Sequence, residues 1–172
     1  MGKPEIAQEK IQKAIEIDEK EYGSNSFDVA VDLNILGQIL HLQGKLEESE
    51  TTLKQALIIL ENVRDREHPR IATVRFNLGS VLQDKREFDD AKQMYETALE
   101  IDRKAFGPKH LSIARDLHGL AKLYLELHIL NDAYQYAINA LEIMRNFLPS
   151  RHRNIKELRN TLKKIKSLSI NK

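Results

Sequence analysis

Apolar residues recur at steps of three and four along most of the chain, which is the spacing of one face of an α-helix. Residues 24–65 contain two such runs, Val29, Leu33, Leu36 and Leu40 and then Leu46, Leu53, Ala56, Leu57 and Leu60. Gly44 lies between the two runs, where a residue that tolerates a positive φ allows the chain to reverse. The pattern therefore predicts two helices that fold back on each other as a hairpin.

This hairpin pattern repeats with a period of 42 residues, and we call positions related by that period a column. One column is Ala14, Ala56, Ala98 and Ala140, and another is Val29, Ile71, Ile113 and Ile155. A fixed period of this size indicates stacked helical units, because one unit cannot bury its apolar face alone. We predict a half-repeat with only a second helix at 1–23, full repeats at 24–65, 66–107 and 108–149, and a basic C-terminal capping helix at 150–172.

The periodicity predicts an all-α protein with about eight helices and no strand. The expected helices are 4–21, 27–42, 45–62, 68–84, 87–104, 110–127, 130–147 and 151–168. Residues that stop or turn a helix follow the second helices in one column, which contains Gly23, Asp65, Gly107 and Pro149. Small residues face each other across each hairpin, and we expect close helix contacts at Gly37 with Ser49, Gly79 with Ala91 and Ala121 with Ala133.

These small residues, with Leu36, Leu78 and Leu120 one position before the first of them, resemble the tetratricopeptide repeat pattern. The 42-residue period and the segments NILGQILHLQGKLEESE, ALEIDRKAFGPKH and EHPRIAT resemble the long variant of that repeat in kinesin light chains and their bacterial relatives. The resemblance covers essentially the whole chain. It implies one domain over residues 1–172, a right-handed α-solenoid of antiparallel helix hairpins that serves as a protein-interaction scaffold.

The resemblance also implies where a ligand binds, because in this family the first helix of each hairpin lines the concave surface. The predicted peptide-binding residues are Asn34, Gln38, His41, Thr73, Phe76, Asn77, Ser80, Gln83, Arg115, His118, Lys122, Asn160 and Lys164, with Glu126 on the same stripe. Amides offer a donor and an acceptor to a peptide backbone, and cations attract a carboxylate, so a partner with acidic character is expected. The alternative is that these polar residues only solvate the groove.

Histidine is the residue type that most suggests chemistry. His68, His110 and His152 share a column with Ser26 at the predicted starts of first helices, where each can accept a backbone N–H. A metal site is disfavoured, because the three belong to successive repeats and no carboxylate or thiolate recurs beside them. We find no nucleophile motif or phosphate-binding loop, so we expect no enzymatic activity, no metal and no cofactor.

The charge is distributed unevenly along the chain. The formal net charge is +1, but residues 150–172 carry eight Lys or Arg residues against one carboxylate, Glu157. This helix is either a solubilising cap or a surface that docks to an acidic partner, to another copy or to nucleic acid. Nucleic acid is disfavoured, because no aromatic residue is interleaved for base stacking.

The N-terminal segment aligns with second helices, so its first-helix partner is missing from the pattern. Ile6 and Ile17 are candidates for an exposed apolar contact with a second copy of the chain. The absence of cysteine favours a reducing, cytoplasmic compartment, and no apolar run is long enough for a membrane span.

We interpret the chain as a scaffold that binds a peptide in its groove. Two alternatives stay open: a structural spacer or oligomerisation segment of a larger multidomain protein, and a peptide-sensing regulatory domain.

Overall fold

The computed structural model describes residues 3–170, and all elements in this range are α-helices. They are α1 (Lys3–Tyr22), α2 (Phe27–Leu42), α3 (Leu46–Val63), α4 (Pro69–Asp84), α5 (Phe88–Phe106), α6 (Leu111–Glu126), α7 (Leu130–Phe147) and α8 (Arg153–Ile170). Each lies within about two residues of its predicted range, which confirms the all-α prediction. The described residues exclude 1–2 and 171–172. These are the first two residues of the predicted half-repeat 1–23 and the last two of the predicted capping helix 150–172.

The chain divides into two compact units, Met1–Met94 and Tyr95–Lys172, and the division falls inside α5. In the first unit α2 packs against α1, α3 and α4, and α3 also packs against α4. In the second unit α6 packs against α7, and both contact α8. Leucine, isoleucine, valine and alanine make up most of each core. The boundaries of the individual repeats stay a prediction.

The hairpin of α2 and α3 closes at a helix contact that only a small residue permits. The Ser49 hydroxyl donates a hydrogen bond of 2.7 Å to the carbonyl oxygen of Gly37. A Cβ added to Gly37 would lie 2.6 Å from Cγ of Leu53, which is too close for two carbon atoms. This confirms the expected contact between Gly37 and Ser49. The other small residues of these columns, Gly79, Ala91, Ala121 and Ala133, are all buried.

First helices begin at the residues that the sequence indicated. The Ser26 hydroxyl accepts the N–H of Val29 at 3.3 Å and so caps α2. The three aligned histidines act in the same way: Nδ1 accepts the N–H two residues later, at 3.2 Å in His68, 3.2 Å in His110 and 3.3 Å in His152. The predicted capping role of this column is confirmed.

The turns inside the hairpins each contain one residue with a left-handed backbone conformation, and these residues share a column in which only the first member is glycine. Gly44 has φ of +76°, as expected, while Arg86 and His128 in the same column have φ of +66° and +58°. A side chain in this conformation costs about 1 kcal/mol. Each turn offsets that cost with a backbone hydrogen bond that closes the helix end, such as the one from Glu87 N–H to the Leu82 carbonyl at 2.9 Å.

Candidate peptide-binding surface

The predicted binding residues lie on first helices, which are α2 and α4 in the first unit and α6 and α8 in the second. We call these two surfaces the first-helix faces. Within each unit, side chains 43 residues apart join one first helix to the next. These bonds are Asn77 Nδ2 to Asn34 Oδ1 at 2.8 Å, His41 Nε2 with Asp84 Oδ2 at 2.7 Å, and His118 Nε2 with Thr161 Oγ1 at 3.2 Å. Several residues expected to contact a ligand therefore also hold neighbouring repeats together.

The asparagine pair of the first unit keeps part of its hydrogen-bonding capacity. Asn34 is buried and Asn77 is half-buried, and one amide bond joins them. Asn34 Nδ2 and Asn77 Oδ1 have no hydrogen-bond partner among the described residues. The pair can therefore offer one donor and one acceptor to a peptide backbone. Gln38 is exposed beside it and donates from Nε2 to the Asn34 carbonyl oxygen at 3.3 Å.

The remaining predicted residues of the first unit are less available. The hydroxyls of Thr73 and Ser80 each donate at 3.2 Å to a carbonyl one turn earlier in α4. Phe76 is half-buried, and Gln83 is only 4% exposed. Burial of Gln83 removes most of its surface from solvent, so it adds little to the first-helix face.

Arg115, in the second unit, is bound by two buried carboxylates. Its Nη2 lies 3.1 Å from Oδ2 of Asp102 and 2.9 Å from Oδ1 of Asp116. The Arg115 side chain is 29% exposed, whereas both aspartates are fully enclosed. The guanidinium neutralises charge inside the fold, so only part of it can reach a ligand.

Burial governs the protonation of this cluster. Burial raises the pKa of Asp116 to about 7, and the charge of Arg115 opposes that rise. Burial also raises the pKa of Asp102 above that of an ordinary aspartate, again against the attraction of Arg115. The cluster therefore holds a proton more readily than an exposed aspartate pair would.

His118 is a neutral link between α6 and α8. Burial lowers the pKa of His118 to about 4, and the positive charge of Lys122 lowers it further, while Glu157 acts in the opposite direction. The ring is therefore uncharged near neutral pH and shares a hydrogen bond with Thr161. This role was not visible from the sequence, because it depends on which side chain of α8 faces the ring.

Three predicted residues of the second unit surround one pocket. Lys122 from α6 and Asn160 and Lys164 from α8 line a cavity of about 270 Å³, together with Leu125, Glu126 and Thr161. We call it the Lys122 pocket. It places two ammonium groups, the carboxylate of Glu126 and an amide around the apolar side chain of Leu125. The formal charge of this lining is +1, which suits a short segment with both a carboxylate and an apolar group.

A second cavity, in the first unit, was missed by sequence reasoning. It lies between α1 and α3, has a volume of about 410 Å³, and is floored by Leu36 and Leu40. Its rim is polar and acidic, formed by Gln8, Gln12, Glu47, Glu48, Thr51 and Thr52. The amides at Gln8 and Gln12, one helical turn apart, were the signal that could have indicated it.

Helix α1 exposes apolar side chains at both candidate positions. Ile17 is 60% exposed, whereas Ile59 in the same column is 3% exposed. The difference arises because Ile59 belongs to α3, which packs against both α2 and α4, whereas among the described helices α1 packs against α2 alone. Ile6 is also exposed. The structure thus leaves an apolar flank on α1.

Within residues 3–170 no three His, Asp or Glu side chains converge closely enough to hold a metal ion. No helix in the same range is both long and apolar enough to cross a membrane.

Solved structures with the same fold cover nearly the whole chain. The nearly identical TPR-like repeats of a Podosopora anserina protein assigned as a kinesin light chain share 19% identity, cover 99% of this chain and 81% of theirs, and superpose with a TM-score of 0.77. BtubC (BKLC) from P. vanneervenii shares 14% identity over 99% of this chain and 90% of its own, with a TM-score of 0.68. Apo RapI shares 21% identity over 92% of this chain and 57% of its own, with a TM-score of 0.76. At these identities the similarity shows the fold alone.

Sequence comparison gives the family. A TPR repeat-containing protein of Dictyostelium discoideum is 33% identical over 81 residues, which is 47% of this chain but only 5% of that protein. The tetratricopeptide repeat model matches residues 1–62, 28–104 and 70–146, which together span most of the chain. With its helical hairpins and its 42-residue period, the chain belongs to the tetratricopeptide repeat family.

Proposed function

We propose that this chain is a protein-interaction module that binds a short peptide segment of acidic character in the Lys122 pocket. The family is one of protein-interaction scaffolds, typically without enzymatic activity, which supports the general role. The pocket itself carries the specific proposal, because Lys122, Asn160 and Lys164 converge there from two helices.

The chemistry of the pocket favours one kind of segment. The lysine ammonium groups attract carboxylates, and the amide of Asn160 can accept or donate a hydrogen bond to the peptide backbone. Leu125 offers an apolar floor for one side chain. Such a segment would bind with a Kd in the micromolar range, about −8 kcal/mol, because ordering of the peptide offsets much of the contact energy.

The first unit offers a separate place for a peptide backbone. The free donor of Asn34 and the free acceptor of Asn77 can form two hydrogen bonds with an extended chain, as the resemblance to kinesin light chains implies. Removal of one amide should cost about 1 kcal/mol of binding free energy.

A peptide-library screen followed by fluorescence anisotropy tests the pocket. We expect hits enriched in Asp and Glu, and we expect Lys122→Ala with Lys164→Ala to weaken them at least tenfold and to reduce their dependence on salt. The matched control is Lys13→Ala with Lys109→Ala, which removes two exposed lysines elsewhere. Equal binding by the pocket variant and the control would refute the proposal, and a screen without hits would favour the spacer role.

Self-association through α1 is a second candidate role, motivated by the exposure of Ile17. A second copy could cover the apolar flank that contains Ile6 and Ile17. Sedimentation equilibrium should then show a dimer that Ile17→Lys converts to a monomer with unchanged helicity. A monomer at high concentration in the unmodified protein would rule this out.

A further inference from the structure

Helix α8 has the buried apolar face of a first helix, but it carries cations on a second face that is mostly small or apolar in the other first helices. Its buried residues are Ile155, Leu158, Leu162 and Ile165. Three of their columns are apolar in the other first helices, whereas the column of Leu158 also holds Asp32 and Asp116. Four further columns hold Ala, Leu, Gly or Tyr, and once Arg75, in α2, α4 and α6. In α8 these columns hold Lys156, Arg159, Lys163 and Lys166, which we call the cation stripe.

Contacts in the earlier repeats show what these columns normally face. Gly37, in the column of Lys163, accepts the hydrogen bond from Ser49 of α3. Arg75, in the column of Arg159, donates to the sulfur of Met94 in α5 at 3.7 Å. Tyr124 of α6, in the column of Lys166, packs on Tyr136 of α7 with ring centroids 5.3 Å apart. In each hairpin, therefore, these columns contact the second helix that follows.

Such a second helix cannot pack closely on α8. The contact at Gly37 leaves no room for a Cβ, so the long side chain of Lys163 in that column would hold two helices apart. Lys156 stands in a column where the other first helices have a fully buried alanine. The stripe therefore lies on the face that contacts a second helix in the earlier hairpins, but it carries charged side chains where those hairpins carry mostly small or apolar ones.

The stripe lacks internal counterions. Lys156, Lys163 and Lys166 are exposed, and no described carboxylate pairs with any of them. Arg159 donates to the Ser150 carbonyl oxygen at 3.2 Å, and Glu157, the acidic residue of α8, pairs with Arg153 at 2.7 Å. The positive charge of the stripe is therefore available to a partner.

A recess with both apolar and polar lining lies at the C-terminal end of the stripe. Leu130 and Tyr134 of α7 and Ile165 and Lys166 of α8 line a cavity of about 240 Å³ there, together with the polar side chains of Asn131, Gln135 and Ser169. A partner that follows the stripe would reach this recess and could insert one apolar side chain. Aligned charge would supply electrostatic complementarity to a partner, and one inserted apolar side chain would add a buried anchor.

We propose that the cation stripe docks an acidic helical segment of a partner protein on the side that a second helix takes in the earlier hairpins, at the greater distance that the long cationic side chains require. The four cations follow steps of three, four and three residues over about 15 Å, so carboxylates at the same spacing on a helix lie opposite them. The α1 helix of another copy fits poorly, because its corresponding columns hold Ala7, Lys10 and Ile11 instead of acids. Nucleic acid fits less well, because no aromatic residue interrupts the stripe for base stacking.

Fluorescence anisotropy with two synthetic helical peptides tests this proposal on the intact chain. One 18-residue peptide carries Glu at the spacing of the stripe and one terminal Leu, and the other carries Gln in place of each Glu. We expect the Glu peptide to bind to the unmodified chain. Its affinity should fall about tenfold or more, and lose its dependence on salt, in the stripe variant that combines Lys156→Gln, Lys163→Gln and Lys166→Gln. The matched control replaces the exposed lysines Lys13, Lys20 and Lys109 with Gln and should bind as the unmodified chain does.

Charge reversal gives a second, independent test. With Lys156→Glu, Lys163→Glu and Lys166→Glu, a peptide carrying Lys in place of Glu should bind and the Glu peptide should not. Equal binding of the Glu and Gln peptides, or of the Glu peptide to the stripe variant and the control, would overturn the proposal. It would also fail if a single-stranded oligonucleotide of equal charge displaced the peptide at lower concentration. Self-association of the free chain that the stripe variant abolishes would instead identify a second copy as the occupant.

Discussion

Replacement of Arg115 by alanine should destabilise the second unit before it affects any ligand contact. Arg115 bridges Asp102 and Asp116, and both carboxylates are enclosed by the fold. Removal of one partner from a buried ion pair typically costs 3–5 kcal/mol, because the remaining charge is left without compensation. Arg115 is 29% exposed, so water can replace part of the interaction, and we expect a loss of about 3 kcal/mol. For a chain of this size that loss lowers the Tm by roughly 6–12 °C.

The loss should depend on pH with a defined sign. The pKa of Asp116 is raised to about 7 in the folded protein, so the folded state binds more protons than the unfolded state. Stability therefore falls as pH rises from the pKa of an ordinary aspartate through about 7, by up to about 1.4 kcal/mol per pH unit for each proton. Without Arg115 both carboxylates lose their counterion, so the destabilisation should be largest at pH 8 and smaller at pH 5.

Urea denaturation followed by circular dichroism at pH 5 and pH 8 measures both effects. The matched control is Arg75→Ala in the first unit, where the arginine pairs at 2.6 Å with Glu61 alone and Glu61 keeps contact with solvent. We expect that control to lose about 1 kcal/mol or less. Adding Asp102→Asn and Asp116→Asn to Arg115→Ala should recover much of the loss, because neutral amides are cheaper to bury. A loss no larger than that of the control, or one that is equal at the two pH values, would refute this role of Arg115.

Two further predictions concern packing and protonation. Gly37→Ala should gain about 1 kcal/mol of helix propensity but lose about 1–3 kcal/mol because the added Cβ overpacks Leu53, so its net effect should be neutral to destabilising. In a Leu53→Ala background the overpacking is absent, and Gly37→Ala should stabilise the protein. A urea double-mutant cycle measures both effects, and the same sign in both backgrounds would contradict the prediction. The pKa of His118 is lowered to about 4, so the folded state binds fewer protons than the unfolded state. The unmodified protein should therefore lose up to about 3 kcal/mol of stability as pH falls from about 6.5 to 4, and His118→Gln should abolish that loss. Parallel stability profiles of the unmodified protein and this variant would show that His118 does not titrate as proposed.

The sequence alone determined the helices and their ends, because those depend on interactions over a few residues. The apolar step of three and four predicted all eight helices within about two residues. The column of Ser26, His68, His110 and His152 predicted where first helices begin, since a cap bonds to an N–H two or three residues away. Even the contact at Gly37 could be predicted, because small residues that repeat in register are typical of a close approach between two helices.

Only the tertiary structure decided which polar side chains are available to a ligand. The sequence placed Arg115, His118 and Lys122 on one stripe, yet Arg115 is bound by buried aspartates, His118 is bonded to α8, and Lys122 lines a pocket. These differences depend on partners from other helices, such as Asp102, which lies 13 residues away, and Thr161, which lies 43 residues away. Periodicity fixes the face of a helix on which a residue lies, but the partner across the interface depends on how neighbouring helices rotate and approach each other, which no local pattern records.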